Sequence, residues 1–215
     1  MKTVLLIGLG KFGRHVAEQL QIHGHQVMAI DKNEDRVNSV LSYTTNAQIG
    51  DTTNIDFLRS LGVDEYDLCV VTIGNDFQAS LETTAYLKEL GATFVVSRAY
   101  SGRHAKFLLR NGADKVVYPE KEVAKWAAVR YTTNNITDYI QVDAQHSIYK
   151  VTIPKNWEGK TLAELNVRST YGLNILGIKE EDGVRYTFSP NEKLEKGAEL
   201  LILGENNAFK RCFDI

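Results

Sequence analysis

The feature that most constrains the fold is a glycine-rich turn near the start of the chain. The residues T-V-L-L-I run directly into three glycines spaced G-x-G-x-x-G, namely Gly8, Gly10 and Gly13. In this arrangement the first glycine permits a tight turn, the second lets a ligand approach the backbone, and the third lets the following helix pack closely. The segment therefore predicts a strand over Val4–Ile7, a turn, and a helix that begins near Phe12.

An acidic residue follows this turn at the distance expected for a nucleotide site. Asp31 closes the next apolar run, 18 residues after Gly13, where a carboxylate can accept hydrogen bonds from ribose hydroxyls. The amide groups at the start of the helix would face a phosphate. We expect a mononucleotide or dinucleotide with a free 2′-hydroxyl, which disfavours NADP and leaves NAD, ATP and ADP open. The alternative is that the glycines serve packing alone and that Asp31 caps a helix.

Further candidates lie where the other strands end, because ligands of parallel sheets bind beyond the carboxyl ends of the strands. Lys11 lies within the glycine turn, where a cation reaches phosphates and serves a γ-phosphate best; a solvent-facing lysine is the alternative. Asp51 is expected near the ligand, although it also fits a helix cap. The remaining expected contacts are Phe12, Lys32, Thr52, Ile73, Gly74, Asn75 and Arg98.

The first 131 residues alternate apolar runs with stretches whose apolar residues recur at helical spacing. This alternation predicts an α/β fold, a Rossmann-like doubly wound parallel sheet of six strands. The expected strands are Val4–Ile7, Val27–Ile30, Ala47–Ile49, Leu68–Ile73, Phe94–Val96 and Lys115–Val117. The expected helices are Phe12–Ile22, Glu34–Leu41, Asn54–Leu61, Phe77–Leu90 and Gly102–Asn111.

The pattern changes after a crossover helix expected from about Glu120 to Arg130. Residues 132–146 contain no glycine or proline and predict a connector, and residues 147–215 predict a small α+β subdomain. A unit of that size buries a limited core and gains stability from pairing with a copy of itself. Its expected strands are Ile148–Ile153, Leu173–Ile178, Val184–Phe188 and Leu200–Leu203, and its expected helices are Thr161–Leu165 and Asn206–Cys212.

Composition argues against several functional classes. The net charge of -2 gives no basic surface for nucleic acid. No apolar run approaches the ~20 residues of a membrane span, and no signal peptide is apparent. The two cysteines, Cys69 and Cys212, have neither disulfide nor metal spacing. We therefore expect a cytoplasmic protein. The C-terminal unit has no histidine after His146 and no nucleophile motif. We therefore expect no enzyme activity, with a nicotinamide-dependent oxidoreductase as the alternative.

Five stretches together carry a family resemblance. They are V-L-L-I-G-L-G-K-F-G at 4–13, I-G-D-T-T-N at 49–54, G-A-D-K-V-V-Y-P-E-K-E at 112–122, L-N-V-R-S-T-Y-G-L-N-I-L-G-I-K at 165–179 and S-P-N-E-K-L-E-K-G-A-E-L-L-I-L-G at 189–204. With these stretches in this order, the whole chain resembles the RCK regulators of bacterial potassium uptake, the cytosolic gating subunits of the Ktr and Trk type.

The resemblance implies an N-terminal TrkA-N domain that binds ATP or ADP, with NAD(H) as a further ligand, and a C-terminal TrkA-C subdomain that dimerises. Dimers would assemble into an octameric ring beneath a membrane potassium channel, at the inner face of the membrane. Nucleotide exchange would reshape the ring and so switch the channel. The alternative for the membrane partner is a cation antiporter or efflux channel, which would use the same two modules.

The resemblance also implies roles for individual residues. Ktr-type relatives have an arginine at the position of Lys11, which reaches the ATP γ-phosphate across a dimer interface; lysine keeps the charge but loses the bidentate fork. Glu120 would help to hold Mg²⁺ or Na⁺ near the phosphates, with a first-turn helix carboxylate as the alternative. Some Gram-positive relatives bind cyclic di-AMP at the dimer interface of the C-terminal subdomain. The residues that match positions of that pocket are Val167, Arg168, Asn174 and Pro190. They would either bind this ligand or serve packing alone.

Overall fold

The computed structural model describes residues 1–133 and 135–213. The chain divides into two compact units, Met1–Glu122 and Val123–Ile215. Among the described residues, no helix combines the length and the apolar character needed to cross a bilayer.

The first unit is a parallel six-stranded sheet whose strands are joined by helices. The strands are β1 (Thr3–Ile7), β2 (Gln26–Asp31), β3 (Asn46–Ile49), β4 (Leu68–Val71), β5 (Val95–Arg98) and β6 (Lys115–Val117). The helices are α1 (Lys11–Ile22), α2 (Glu34–Asn38), α3 (Ile55–Ser60), α4 (Phe77–Glu89), α5 (Gly102–Arg110) and α6 (Pro119–Thr132), the last of which continues into the second unit. The strand order β3-β2-β1-β4-β5-β6 confirms the predicted doubly wound sheet.

The apolar β1 strand is explained by burial on both of its faces. Leu5 and Ile7 pack into one hydrophobic cluster, whereas Val4 and Leu6 pack into another on the opposite side of the strand. Strand β2 pairs with β1 along one edge, and β4 pairs with β1 along the other edge. The strand order therefore reverses at β1, and the loops that follow β1 and β4 diverge there to leave a crevice.

Several boundaries in the first unit differ from the predictions. The helix expected over Glu34–Leu41 ends at Asn38, where the Ser39 hydroxyl donates to the Arg36 carbonyl at 2.7 Å and competes with helix continuation. The fourth strand ends at Val71 instead of Ile73. As a result, Ile73 belongs to the loop that borders the crevice.

The second unit is an antiparallel sheet of five strands with short helices. The strands are β7 (Ile136–Gln141), β8 (His146–Thr152), β9 (Asn174–Glu180), β10 (Gly183–Arg185) and β11 (Glu199–Glu205), in the order β10-β9-β11-β8-β7. The helices are α7 (Leu162–Leu165), α8 (Val167–Tyr171) and α9 (Asn206–Phe213). Its core includes Trp157, Leu200 and Phe209.

Three parts of the second unit correct the sequence predictions. The connector expected over residues 132–146 contains β7, which pairs with β8 and buries Ile136 in the core of the unit. Helix α8 was not predicted; it follows Asn166, whose φ of +43° separates it from α7. The strand expected over Val184–Phe188 ends at Arg185, so only part of that hairpin pairs.

Candidate functional site

A cleft of about 750 Å³ opens beside the carboxyl ends of the parallel strands, where the strand order reverses. This volume lies within the range of about 300–1,000 Å³ that is usual for small-molecule sites. Thirteen of the sequence-predicted residues line it. They are Gly8, Gly10, Lys11, Phe12, Asp31, Lys32, Asp51, Thr52, Ile73, Gly74, Asn75, Arg98 and Glu120.

The glycine turn owes its shape to contacts that exclude side chains. Gly8 has a φ of +92°, and a Cβ on Gly13 would lie 1.9 Å from the Gly8 carbonyl oxygen and 2.6 Å from Thr72 Oγ1. A Cβ on Gly10 would meet no described atom within 4 Å, so this side of the turn is open. Gly13 is buried and packs α1 against the loop instead of lining the cleft. The first amide groups of α1 remain available to an anion.

Asp31 is a buried carboxylate held in place by backbone amides. Its side chain is 5% exposed. Oδ2 accepts a hydrogen bond from the Leu9 amide at 2.7 Å, and Oδ1 accepts one from the Asn33 amide at 2.9 Å. The Leu9 bond ties the end of β2 directly to the glycine turn. The carboxylate is therefore fixed beside the turn, with lone pairs left for ribose hydroxyls.

The end of β3 contributes a second carboxylate and a structural threonine. The Thr53 amide and hydroxyl both donate to Asp51 Oδ1, at 3.0 and 2.8 Å, and hold the pKa of this carboxyl below its usual range. Thr52 is buried, and its hydroxyl shares a 2.9 Å hydrogen bond with the Thr83 hydroxyl. Asp51 thus faces the cleft as an anion, whereas the Thr52 hydroxyl joins β3 to α4.

Arg98 connects several edges of the cleft. Its guanidinium pairs with the Glu120 carboxylate and lies 5.3 Å from the centre of the Phe12 ring. It also packs on Gly74, where an added Cβ would lie 2.6 Å from Nη1. Arg98 is therefore a cation in the wall of the cleft, with its Nε buried and without a hydrogen-bond partner among the described residues.

Glu120 was expected to help hold a cation. The backbone amide at the start of α6 lowers the pKa of its carboxyl, and Arg98 lowers it further. The described residues contain no cluster of three or more side chains suited to a metal ion. Because Mg²⁺ takes six oxygen ligands and keeps several waters, the Glu120 carboxylate fits a cation only if phosphate oxygens or water complete the shell.

The structure adds residues that the sequence analysis missed. Arg36, on α2, lines the cleft and lies beside Asp31, and Thr53 fixes Asp51. Arg36 lies five positions after Asp31 in the sequence, and the short helix α2 brings it beside the carboxylate. Including Arg36, the cleft is lined by four basic and four acidic side chains. They are Lys11, Lys32, Arg36, Arg98, Asp31, Asp51, Asp76 and Glu120.

The residues proposed for a second ligand lie in the second unit. Val167 is buried in its core, so packing accounts for this side chain. Arg168 and Pro190 are exposed, and the Pro190 carbonyl accepts a hydrogen bond from the Ala163 amide at 2.8 Å. Asn174 is partly buried at the start of β9.

Comparison with known proteins assigns the chain to a family. Residues 4–119 match the TrkA-N domain and residues 147–214 match the TrkA-C domain. The chain belongs to the TrkA-N/TrkA-C family. This TrkA-N/TrkA-C protein is 36% identical over 203 residues to the Ktr system potassium uptake protein C of Bacillus subtilis (strain 168), covering 94% of this chain and 92% of that protein. It is 34% identical over 210 residues to the Ktr system potassium uptake protein A of the same strain, covering 98% and 95%.

A solved structure supports the same fold. The GsuK channel bound to NAD matches the TrkA-N/TrkA-C protein with a TM-score of 0.72 and 18% identity, covering 99% of this chain. The match spans 39% of the GsuK chain, so it bears on the fold and not on the rest of that channel. The predicted fold class is confirmed.

Proposed function

We propose that this TrkA-N/TrkA-C protein is the nucleotide-sensing gating subunit of a potassium uptake system. The observation that carries the proposal is the cleft, in which a glycine turn and the fixed Asp31 carboxylate lie together. The near full-length similarity to two Ktr potassium uptake proteins supports the transport role. These two near full-length relatives are potassium uptake proteins, and this favours uptake over the alternatives of antiport and efflux.

The cleft suggests how an adenine nucleotide would lie. Phosphates would approach the open side of Gly10 and the first amides of α1, with Lys11 and Arg98 as cationic partners. The ribose hydroxyls would donate to Asp31. ATP and ADP fit this arrangement, and NAD(H) fits it as well, in keeping with the NAD-bound GsuK channel.

The nucleotide would act as a signal and not as a substrate. A ligand shifts a conformational equilibrium only by its difference in affinity for the two states. ATP and ADP differ by the γ-phosphate, and Lys11 at the start of α1 is the side chain that we assign to this group. The protein then has no catalytic role, and its output is the activity of the membrane partner.

The remaining assignments follow from the same proposal. Residues 1–131 would form the nucleotide-binding domain, and residues 147–215 would dimerise, with dimers assembling into an octameric ring at the cytoplasmic face of a membrane potassium channel. Glu120 would hold Mg²⁺ or Na⁺ together with phosphate oxygens. Cyclic di-AMP would bind in the second unit near Arg168, Asn174 and Pro190, with Val167 shaping the site from the core.

The proposal is tested by isothermal titration of the nucleotide-stripped protein with ATP, ADP, NADH and cyclic di-AMP. We expect ATP and ADP to bind the native chain and to fail with Asp31→Ala. Lys11→Ala should narrow the preference for ATP while leaving ADP binding within about threefold, because a single charge-assisted contact is lost. Asp56→Ala and Lys106→Ala, which change exposed side chains outside the cleft, are the matched controls.

Two results would count against the proposal. Tight binding of NADH without any response to ATP or ADP would remove the adenine-nucleotide switch and favour a redox role. Equal loss of ADP binding in Asp31→Ala and Asp56→Ala would show that the effect is not specific to the cleft. Potassium flux through the co-expressed channel partner, with ATP and ADP exchanged, then tests the gating step.

A further inference from the structure

The ribose end of the cleft contains a charge pair that the glycine motif does not explain. Arg36 Nη1 lies 3.4 Å from Asp31 Oδ2. The two side chains differ sharply in exposure, because that of Arg36 is 49% exposed and that of Asp31 is 5% exposed. A solvent-accessible cation therefore lies beside a buried, fixed anion.

Asp31 does not depend on Arg36 for its position. The amides of Leu9 and Asn33 already bond to its two oxygens. The separation of 3.4 Å also exceeds the ~2.7–2.9 Å that is usual for a charge-assisted bond between nitrogen and oxygen. Since Asp31 keeps both amide bonds and the Arg36 side chain is half-exposed, Arg36 can exchange Asp31 for another anion.

A second cation, Lys32, directly follows Asp31 in the chain and also lines the cleft. Lys32 lies close enough to Asp51 to help lower the pKa of that carboxyl, after the larger effects of the Thr53 amide and hydroxyl. A phosphate on the ribose 2′ oxygen would meet the anionic side chains of Asp31 and Asp51. Arg36 is the cation paired with Asp31, and its planar fork suits a phosphate.

We propose that Arg36 determines how the cleft treats the 2′ position of an adenosine ribose. When this position carries a hydroxyl, Arg36 stays paired with Asp31. When it carries a phosphate, Arg36 turns to the phosphate and offsets its repulsion by the two carboxylates. The cleft then accepts 2′-phosphorylated adenine nucleotides as well, which revises the expectation, drawn from Asp31 alone, that NADP is disfavoured. This inference rests on the proposed function.

The test compares two ligands that differ only at the 2′ position, ADP and adenosine 2′-phosphate 5′-diphosphate, by titration calorimetry on the full chain. The native protein should bind both, with dissociation constants within about tenfold of each other, and Arg36→Ala should widen this ratio by a further tenfold or more. The same substitution should weaken binding of the 2′-phosphorylated ligand more than binding of ADP, since ADP has no 2′-phosphate for Arg36 to contact. Arg36→Lys should give an intermediate ratio, because it keeps the charge without the fork.

Arg59→Ala is the matched control, since Arg59 is an exposed arginine paired with Asp56 outside the cleft; it should leave both constants unchanged. An unchanged ratio in Arg36→Ala overturns the inference, and so does a native chain that binds ADP but not the 2′-phosphorylated ligand. Both of these results leave the proposed function intact. Failure of the native chain to bind ADP at all would overturn the proposed function and this inference together.

Discussion

At the residue scale, the cleft is organised by backbone amides. Asp31 receives hydrogen bonds from the amides of Leu9 and Asn33, and Asp51 receives one from the amide of Thr53. Main-chain donors have little freedom to lose when a ligand binds, unlike long side chains. The anionic groups of the site are therefore ordered before a ligand arrives, and the cations Lys11, Lys32 and Arg36 supply the adjustable part.

The contact between the glycine turn and α1 predicts a strong effect at Gly13. A Cβ there would overlap the Gly8 carbonyl oxygen, so Gly13→Ala should lower the free energy of unfolding by about 1–3 kcal/mol and weaken nucleotide binding. Gly102→Ala is the control, because its Cβ would meet no described atom within 4 Å and it begins a helix. Urea unfolding of both variants checks this; equal stability of the two would show that the turn relaxes freely.

His104 predicts a loss of stability at acidic pH. The ring is buried between Phe77 and Tyr100, its nitrogens have no hydrogen-bond partner among the described residues, and burial lowers its pKa. At this histidine the unfolded chain therefore binds a proton more readily than the folded chain. The stability that the neutral, buried ring contributes is present above the ordinary pKa of about 6.5 and is lost as the pH falls below it.

Urea unfolding between pH 8 and pH 5 measures this effect of His104. His104→Phe cannot titrate and should flatten the pH dependence, whereas His15→Gln, at a histidine whose side chain is 80% exposed, should not. If His104→Phe folds poorly, NMR titration of the native histidines gives the pKa directly. A His104 pKa at or above the ordinary value would refute the prediction.

At the element scale, helix α4 begins at the loop that borders the cleft. Asp76 is its N-cap, and its side chain accepts a hydrogen bond from the Ala79 amide at 3.0 Å. The same residue lines the cleft. Since the capping bond accounts for its carboxylate, we assign Asp76 to helix stability in preference to ligand contact.

Asp76→Ala should lower the free energy of unfolding by about 1 kcal/mol, because one amide of α4 loses its partner. Asp76→Asn keeps a capping oxygen and should retain most of that stability. Binding of ADP should change little in either variant. Chemical denaturation and calorimetry provide the two measurements, and a large loss of ADP affinity in Asp76→Asn would instead assign the carboxylate to the ligand.

The parallel sheet could be predicted from sequence because strands such as Val4–Ile7 are apolar on both faces and alternate with stretches whose apolar residues recur at helical spacing. Strand β7 could not, since Ile136–Gln141 is an edge strand with a single buried side chain, Ile136, and without glycine or proline at its borders. Asp31 was recognisable through its spacing from the glycines. Arg36 was missed because its role depends on a short helix that places it beside Asp31.

At the scale of the whole molecule, each unit has its own hydrophobic core and one cysteine. Cys69 is buried in β4 of the first unit, and Cys212 is half-buried in α9 of the second. Burial raises the pKa of Cys69 to about 12 and that of Cys212 to about 11. Both thiols are therefore protonated and slow to react in the folded protein.

Cys69 thus reports on the stability of the unit that contains the cleft. In Cys212→Ser, modification by a thiol reagent at pH 8 should require opening of the first unit. Saturation with ADP at 100 times its dissociation constant should slow this reaction about 100-fold, because binding stabilises the folded state by mass action. Rapid modification of the native protein, or a rate that ADP does not change, would contradict the prediction. The Cys69→Ser variant gives the rate at which the same reagent modifies Cys212.

The balance of four basic and four acidic side chains around the cleft has a consequence for how fast a ligand arrives. A cleft of one sign draws an oppositely charged ligand from a distance, and its association rate falls steeply as salt is added. A balanced cleft has little long-range field, so a nucleotide meets it at a rate nearly independent of ionic strength. A nucleotide would then reach the site equally fast in dilute and in concentrated salt, so a change in salt would not delay the response of the site to the nucleotides around it.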